Sequence, residues 1–184
     1  MDIRVQKTKR SIFNAFLELR AAKPLEKITV RELCEKAQIN KSTFYKYYTD
    51  LYDLADRMES QVIDQIVENL AHPETIVADP RTFTEELTLA CSSQSVMIDL
   101  LFSGSRREKL VIKLRNAIKN LLFQSHPEYR DNDAINIYLT YAVFGGYYAM
   151  AESKQYDRQK VYNVLGEILE TSSRLLLENL LEKW

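Results

Sequence analysis

The chain is expected to fold as an all-α protein, on three observations. Apolar residues recur at i, i+3, i+4 and i+7 in segment after segment, the spacing of a helix with one buried face. No run alternates apolar and polar residues long enough to suggest a sheet. Only four glycines and four prolines occur in 184 residues. Pro24, Pro73, Pro80 and Pro127 all fall between the periodic segments, where a residue that cannot continue a helix does least harm. At 46% hydrophobic the chain is globular, with enough apolar material for a substantial core or for a small domain joined to a larger one.

Residues 4–22 form the first predicted helix. Ile12, Phe13, Phe16, Leu17 and, one turn later, Arg20 and Ala21 make its packing stripe, and Lys7, Lys9 and Arg10 precede it on the solvent side. In Thr29–Ala37, Val30, Leu33, Cys34 and Ala37 share one face of a short helix that Thr29 caps. The run Gln38-Ile39-Asn40 ends it. Asn40 or Ser42 can then cap a second short helix carrying Thr43, Phe44, Tyr45 and Tyr48. Two short helices around a tight turn, the second rich in Lys, Ser, Thr and Tyr, make the pattern of a helix-turn-helix. Hydroxyls on Ser42, Thr43, Tyr45 and Tyr47 are candidate donors to phosphate oxygens, and Lys41 and Lys46 supply charge. Phe44 and Tyr48, one turn apart, suit the small core beneath.

Net charge is −1, which taken alone argues against nucleic acid. Its distribution argues the other way. Residues 1–50 hold eleven Lys and Arg against six Asp and Glu, and the remainder fourteen against twenty. A basic amino-terminal part on an acidic body suits a phosphate-binding head attached to a domain with other duties.

Asp50 is a candidate N-cap for a long helix to about Leu70, with Leu51, Leu54, Ala55, Met58, Val62, Ile66 and Leu70 along one side. That stripe exceeds what the amino-terminal core needs, so the helix is expected to link head and body. A loop from His72-Pro73 to Asp79-Pro80 follows, then a helical stretch 81–103 with a break near Ser92-Ser93. Residues 106–124 are amphipathic, with Leu110, Leu114, Ala117, Ile118, Leu121 and Leu122 inside. Arg107, Lys109, Lys113 and Lys119 lie outside as ordinary solvated surface. Residues 131–152 carry Tyr138, Tyr141, Phe144, Tyr147 and Tyr148 around Gly145-Gly146. Paired glycines cost a helix ~1 kcal/mol each relative to Ala, which suggests close approach of another backbone or a ligand. Core, subunit interface and ligand lining all remain open for those aromatics. The last segment, Asp157 to Trp184, repeats apolar residues about every seven positions, a pattern able to bury one side at home and offer the other to a partner. Homodimerisation through helices 131–152 and 157–182 is the expectation.

The segment Ile28 to Leu54, ITVRELCEKAQINKSTFYKYYTDLYDL, with the preceding helix and Pro24-Leu25-Glu26-Lys27, resembles the DNA-binding domain of TetR-type transcriptional regulators. The matching positions are Thr29, Ala37, Ile39, Thr43-Phe44-Tyr45 and Leu54. Gln38 replaces the usual turn glycine, Tyr47 stands where a histidine is common, and Leu51 where many members place a phosphate-contacting lysine. The resemblance implies a helix-turn-helix DNA-binding domain at 1–50 and a helical regulatory and dimerisation domain at 51–184. It implies a repressor released or modulated by a small-molecule effector, acting on double-stranded operator DNA in the cytoplasm. Arg31, Lys41, Ser42 and Thr43 match positions that face base edges in the family. Thr29, Tyr45, Lys46, Tyr47 and the Lys7, Lys9, Arg10 segment are expected on phosphates. A pocket for a flat or apolar ligand would draw on Met97, Phe102, Tyr141, Phe144 and Tyr148.

Other classes find less support. Cys34 and Cys91 make no metal or disulfide spacing. His72-Pro73 and His126-Pro127 read as loop starts, no glycine-rich phosphate loop occurs, and the carboxylates are scattered, so no enzyme, metal or cofactor is expected. No stretch approaches ~20 apolar residues, so no membrane span is expected. The competing reading is a helical protein-interaction module of the same fold that has lost specific DNA binding, for which Gln38, Tyr47 and Leu51 speak.

Overall fold

The computed structural model of the chain describes residues 3–72 and 75–180. Pro73, expected in the connecting loop, and residues 181–184, expected to end the last helix, lie outside the described residues. Among the described residues every regular element is helical. In order these are α1 (Ile3–Ala22), α2 (Val30–Ala37), α3 (Lys41–Tyr45), α4 (Leu51–Glu68), α5 (Thr75–Ala78), α6 (Pro80–Ser93), α7 (Ser95–Leu101), α8 (Arg107–Ser125), α9 (Asp133–Glu152) and α10 (Arg158–Leu175). Single 3₁₀ turns occupy Leu25–Lys27, Gly104–Arg106 and Pro127–Tyr129, and a π-helical turn, Leu176–Leu180, follows α10.

Short polar side chains start these helices. Asn132 accepts from the Ile135 amide, Asp157 from that of Lys160, Asp50 from that of Asp53, and Asp79 from that of Thr82. Each satisfies an amide that the first turn leaves without a helical partner. Pro80 sits at the first position of α6, where its missing N–H costs nothing. One detail differs from the expected elements, and one expected break is found. The loop 72–80 contains α5, started where the Thr75 amide and hydroxyl both reach the His72 carbonyl. The stretch 81–103 divides at Gln94, where Ser93 Oγ donates to the Ala90 carbonyl and competes with the backbone pattern.

The chain packs as two compact units. One takes in the chain up to Val62 together with Ser95–Leu110. The residue-50 boundary expected from chain order falls inside it, because the first turns of α4 bury Leu51, Leu54, Ala55 and Met58 there. Ile12, Phe16, Leu33, Phe44 and Leu54 form its wholly buried centre. Two buried charged groups tie Ser95–Leu110 in. The Arg20 guanidinium donates to the Leu100 carbonyl at 3.0 Å, the Leu101 carbonyl at 3.4 Å and Ser103 Oγ at 2.7 Å. It thereby satisfies carbonyls at the end of α7 that have no helical donor. The Arg106 guanidinium meets both Glu59 oxygens at 2.7 Å, and Glu59 is 0% exposed. Ser105 also donates to Glu26.

The other unit comprises Ile63–Gln94 and the chain from Val111 on. Ile66, Ile118, Leu122, Ile135 and Leu139 are its innermost side chains. Buried Tyr138 donates its hydroxyl to the Leu169 carbonyl at 3.2 Å, joining α9 to α10. Arg81 of α6 lies over Gly166 of α10, where an added Cβ would stand 3.4 Å from its side chain, an ordinary van der Waals contact.

Candidate nucleic-acid interface

α2 begins in a reciprocal cap. Thr29 Oγ1 accepts from the Glu32 amide at 3.2 Å, while the Thr29 amide and hydroxyl each donate to Glu32 Oε2 at 2.9 Å. Lys23 Nζ adds a bond of 2.6 Å to the same carboxylate. These bonds, that from Lys23 first, hold the Glu32 carboxyl down at about 2. Both donors of Thr29, expected on a phosphate, are therefore engaged in starting the helix. Arg31 is exposed and donates to Glu35 at 2.8 Å, one turn on, which raises its pKa further above the ordinary value.

Gln38 ends α2 in the left-handed region at φ +55°, a conformation that favours glycine. The Ile39 amide then closes on the Cys34 carbonyl at 3.0 Å. Because a side chain at positive φ crowds the following carbonyl, Gln38→Gly is expected to stabilise the chain by about 0.5–1 kcal/mol. Chemical denaturation would show a higher midpoint with an unchanged slope; an unchanged or lower midpoint would mean the glutamine is not strained.

Asn40 caps α3. Its Oδ1 accepts from the Thr43 amide at 2.9 Å, which identifies that atom as the oxygen, and from Ser42 Oγ at 2.8 Å and Thr43 Oγ1 at 2.6 Å. Both hydroxyls spend their protons on Asn40 and present lone pairs elsewhere. They act in this arrangement as acceptors, whereas the sequence reading cast them as donors. Asn40 was visible from the sequence as a capping candidate, but its command of the two neighbouring hydroxyls was not.

Phe44 seals one side of α3 at 0% exposure, edge-on to Tyr45 at 5.4 Å. Lys41, Ser42, Tyr45 and Lys46 are exposed on the other side. Tyr48 is half-buried against Phe44 at 5.7 Å and beneath the Arg57 guanidinium at 5.4 Å, and burial pushes its phenol up. Tyr47 meets α1, with Lys9 Nζ 5.8 Å from its ring centre. A cation of α1 and a phenol just past α3 are thus brought together, and Lys7 and Arg10 are exposed on the same helix. Leu51 is buried and offers no polar group to a phosphate.

No protein-family model, curated protein or solved structure matches this chain.

The residues expected to line an effector pocket are divided between the units. Met97 and Phe102 belong to the first, where Phe102 is packed in the interior, and Tyr141, Phe144 and Tyr148 to the second. Tyr141 and Tyr148 are exposed. Cβ atoms built on Gly145 and Gly146 meet nothing within 4 Å among the described residues, so the approach expected there is not made within the described chain. Burial pushes the Cys91 thiol up to about 11, the opposite of what a reactive thiolate needs. Among the described residues no helix is long and apolar enough to cross a membrane.

Proposed function

We propose that the chain is a TetR-type DNA-binding transcriptional regulator, a homodimeric repressor whose operator affinity is modulated by a small molecule bound in the second unit. The observation that carries this reading is α3. One side is sealed by Phe44, and the other offers two lysines, a phenol and a hydroxyl on the basic part of the chain. Such a helix, held by a capped α2 across a tight turn, has the dimensions and chemistry to enter a major groove. Lys46, Tyr45, Tyr47, Lys7, Lys9 and Arg10 supply phosphate contacts, and these dominate affinity and make it fall with salt. Lys41 and Arg31 read guanine edges, Arg31 exchanging Glu35 for a base.

Exposed apolar side chains support a dimer. Ile137 (70% exposed), Tyr141, Gly145 and Tyr148 fall on one stripe of α9, and Val164, Ile168 and Leu175 on one stripe of α10. Isolated exposed apolar residues need no explanation, but two aligned stripes in one unit do. The open space over Gly145 and Gly146 admits a partner's helix. Two-fold pairing sets two α3 helices on half-sites about one turn of DNA apart or a multiple of it. Effector coupling runs through α4, one helix shared by both units.

The test is an operator selection from random DNA followed by anisotropy titrations. Lys41→Ala and Arg31→Ala should each weaken the selected operator by ~1–3 kcal/mol and leave random duplex nearly unchanged. Equal losses on both would remove the reading role. The competing protein-interaction module is favoured by buried Leu51 and by the engaged donors of Thr29. Equal affinity for every duplex and for heparin at low ionic strength would establish it in place of the regulator.

A further inference from the structure

We propose that α8 and α9 hold the carboxylate of a small aromatic acid, bound by Arg115 and Lys119 beside the ring of Phe144. The inference deepens the effector part of the proposed function by naming a ligand class. Arg115 and Lys119, four residues apart, share a face of α8, and Asn136, Thr140 and Phe144 share a face of α9. Lys119 Nζ donates to Asn136 Oδ1 at 2.9 Å, and the Arg115 guanidinium lies 5.6 Å from the Phe144 ring centre. The contacts run antiparallel, with Thr140 midway between the two cations along α9.

These cations differ from the others that the fold organises. Lys23, Lys36, Arg57, Arg81 and Arg106 each pair with a carboxylate. Among the described residues Arg115 finds only Asn116 Oδ1, at 3.2 and 3.0 Å, and the Phe144 ring, and Lys119 only the amide oxygen of Asn136. Both are half-buried. Burial, and then the Arg115 charge, lower the Lys119 pKa, so the ammonium is held where charge is disfavoured, next to a like charge and against a neutral acceptor. An anion between the two would relieve the repulsion and complete both coordination shells.

A planar carboxylate fits the donors. With its Nε side held by Asn116, the guanidinium offers its Nη1–Nη2 edge to two oxygens side by side, and Lys119 adds a point-like donor. Phe144, already beside the Arg115 guanidinium, gives a ring of the ligand aromatic surface to lie on.

The test uses the full chain without DNA, so that its failure leaves operator binding to be judged separately. Thermal unfolding is followed with sodium 2-naphthoate, with benzoate, and with neutral 2-naphthamide of the same shape. Both carboxylates should raise the melting temperature saturably, and the amide should not. Arg115→Gln and Lys119→Met should each weaken naphthoate at least tenfold, while Lys119→Arg retains most of the binding. Lys119→Met removes a disfavoured charge, so its unliganded melting temperature should hold or rise, which separates lost binding from lost folding. Equal stabilisation by the amide, wild-type responses from both variants, or no saturable response to either carboxylate would each overturn the site.

Discussion

Glu59→Gln is expected to lower the stability of the chain by about 3–5 kcal/mol, because it strands the Arg106 guanidinium in a site built for a carboxylate. Glu59 is wholly buried and receives two bonds of 2.7 Å from Arg106, and the hydrogen bonds to Glu59 raise the arginine's pKa above its ordinary value. Asp56 lies 3.7 Å from the same guanidinium, but it is half exposed and cannot replace a buried partner. For a chain of this length the loss corresponds to a fall of roughly 10 °C in melting temperature. The double variant Glu59→Leu with Arg106→Met should recover most of it, since exchanging both members of a buried pair for apolar groups is often near neutral. Calorimetry of the three proteins decides the matter. A single-variant loss under about 1 kcal/mol would mean that the pair behaves like a solvated surface bridge.

Arg20→Met should cost about 2–4 kcal/mol and act on a distant segment. Methionine keeps the apolar stem but removes the donors to Leu101 and Ser103 and leaves the Leu100 carbonyl only its 3.2 Å bond from Ser103 Oγ. Burial lowers the pKa of Arg20, so the group is held in its site by these bonds against the cost of desolvation. Amide hydrogen exchange should therefore quicken across residues 95–110, far along the chain from the substitution. Arg20→Lys should rescue only in part, because the three acceptors gather on the one nitrogen Nη2, which the shorter lysine stem does not reach without a shift of the backbone. Unchanged protection of 95–110 in Arg20→Met would show that apolar contacts alone fasten that segment.

Much of the candidate interface could be read in advance because its information is local. The Thr29 cap, the apolar spacing through Ala37, the turn at Gln38 and the burial of Phe44 depend on residues within a few positions of one another. The direction of the Ser42 and Thr43 protons was not readable, since it depends on which of several nearby acceptors the folded turn presents. Lys119 was placed outside with the other α8 lysines, and the structure corrects this. Asn136, seventeen residues on, draws it inward, a contact that periodicity within α8 cannot register.

Because caps and periodicity act over one or two turns, the order of residues carries the helical class, the starts of the longer helices though not of α5, and which residues of the amino-terminal part face a core. That Ser95–Leu110 packs with the amino-terminal unit follows from the folded chain and from no local pattern. Arg20 stands on the apolar stripe of the first helix and Glu59 among the buried positions of α4, and neither position reveals a partner. The partners lie 80 and 47 residues away, where selection among many possible charges rests on three-dimensional closure and no local pattern specifies it.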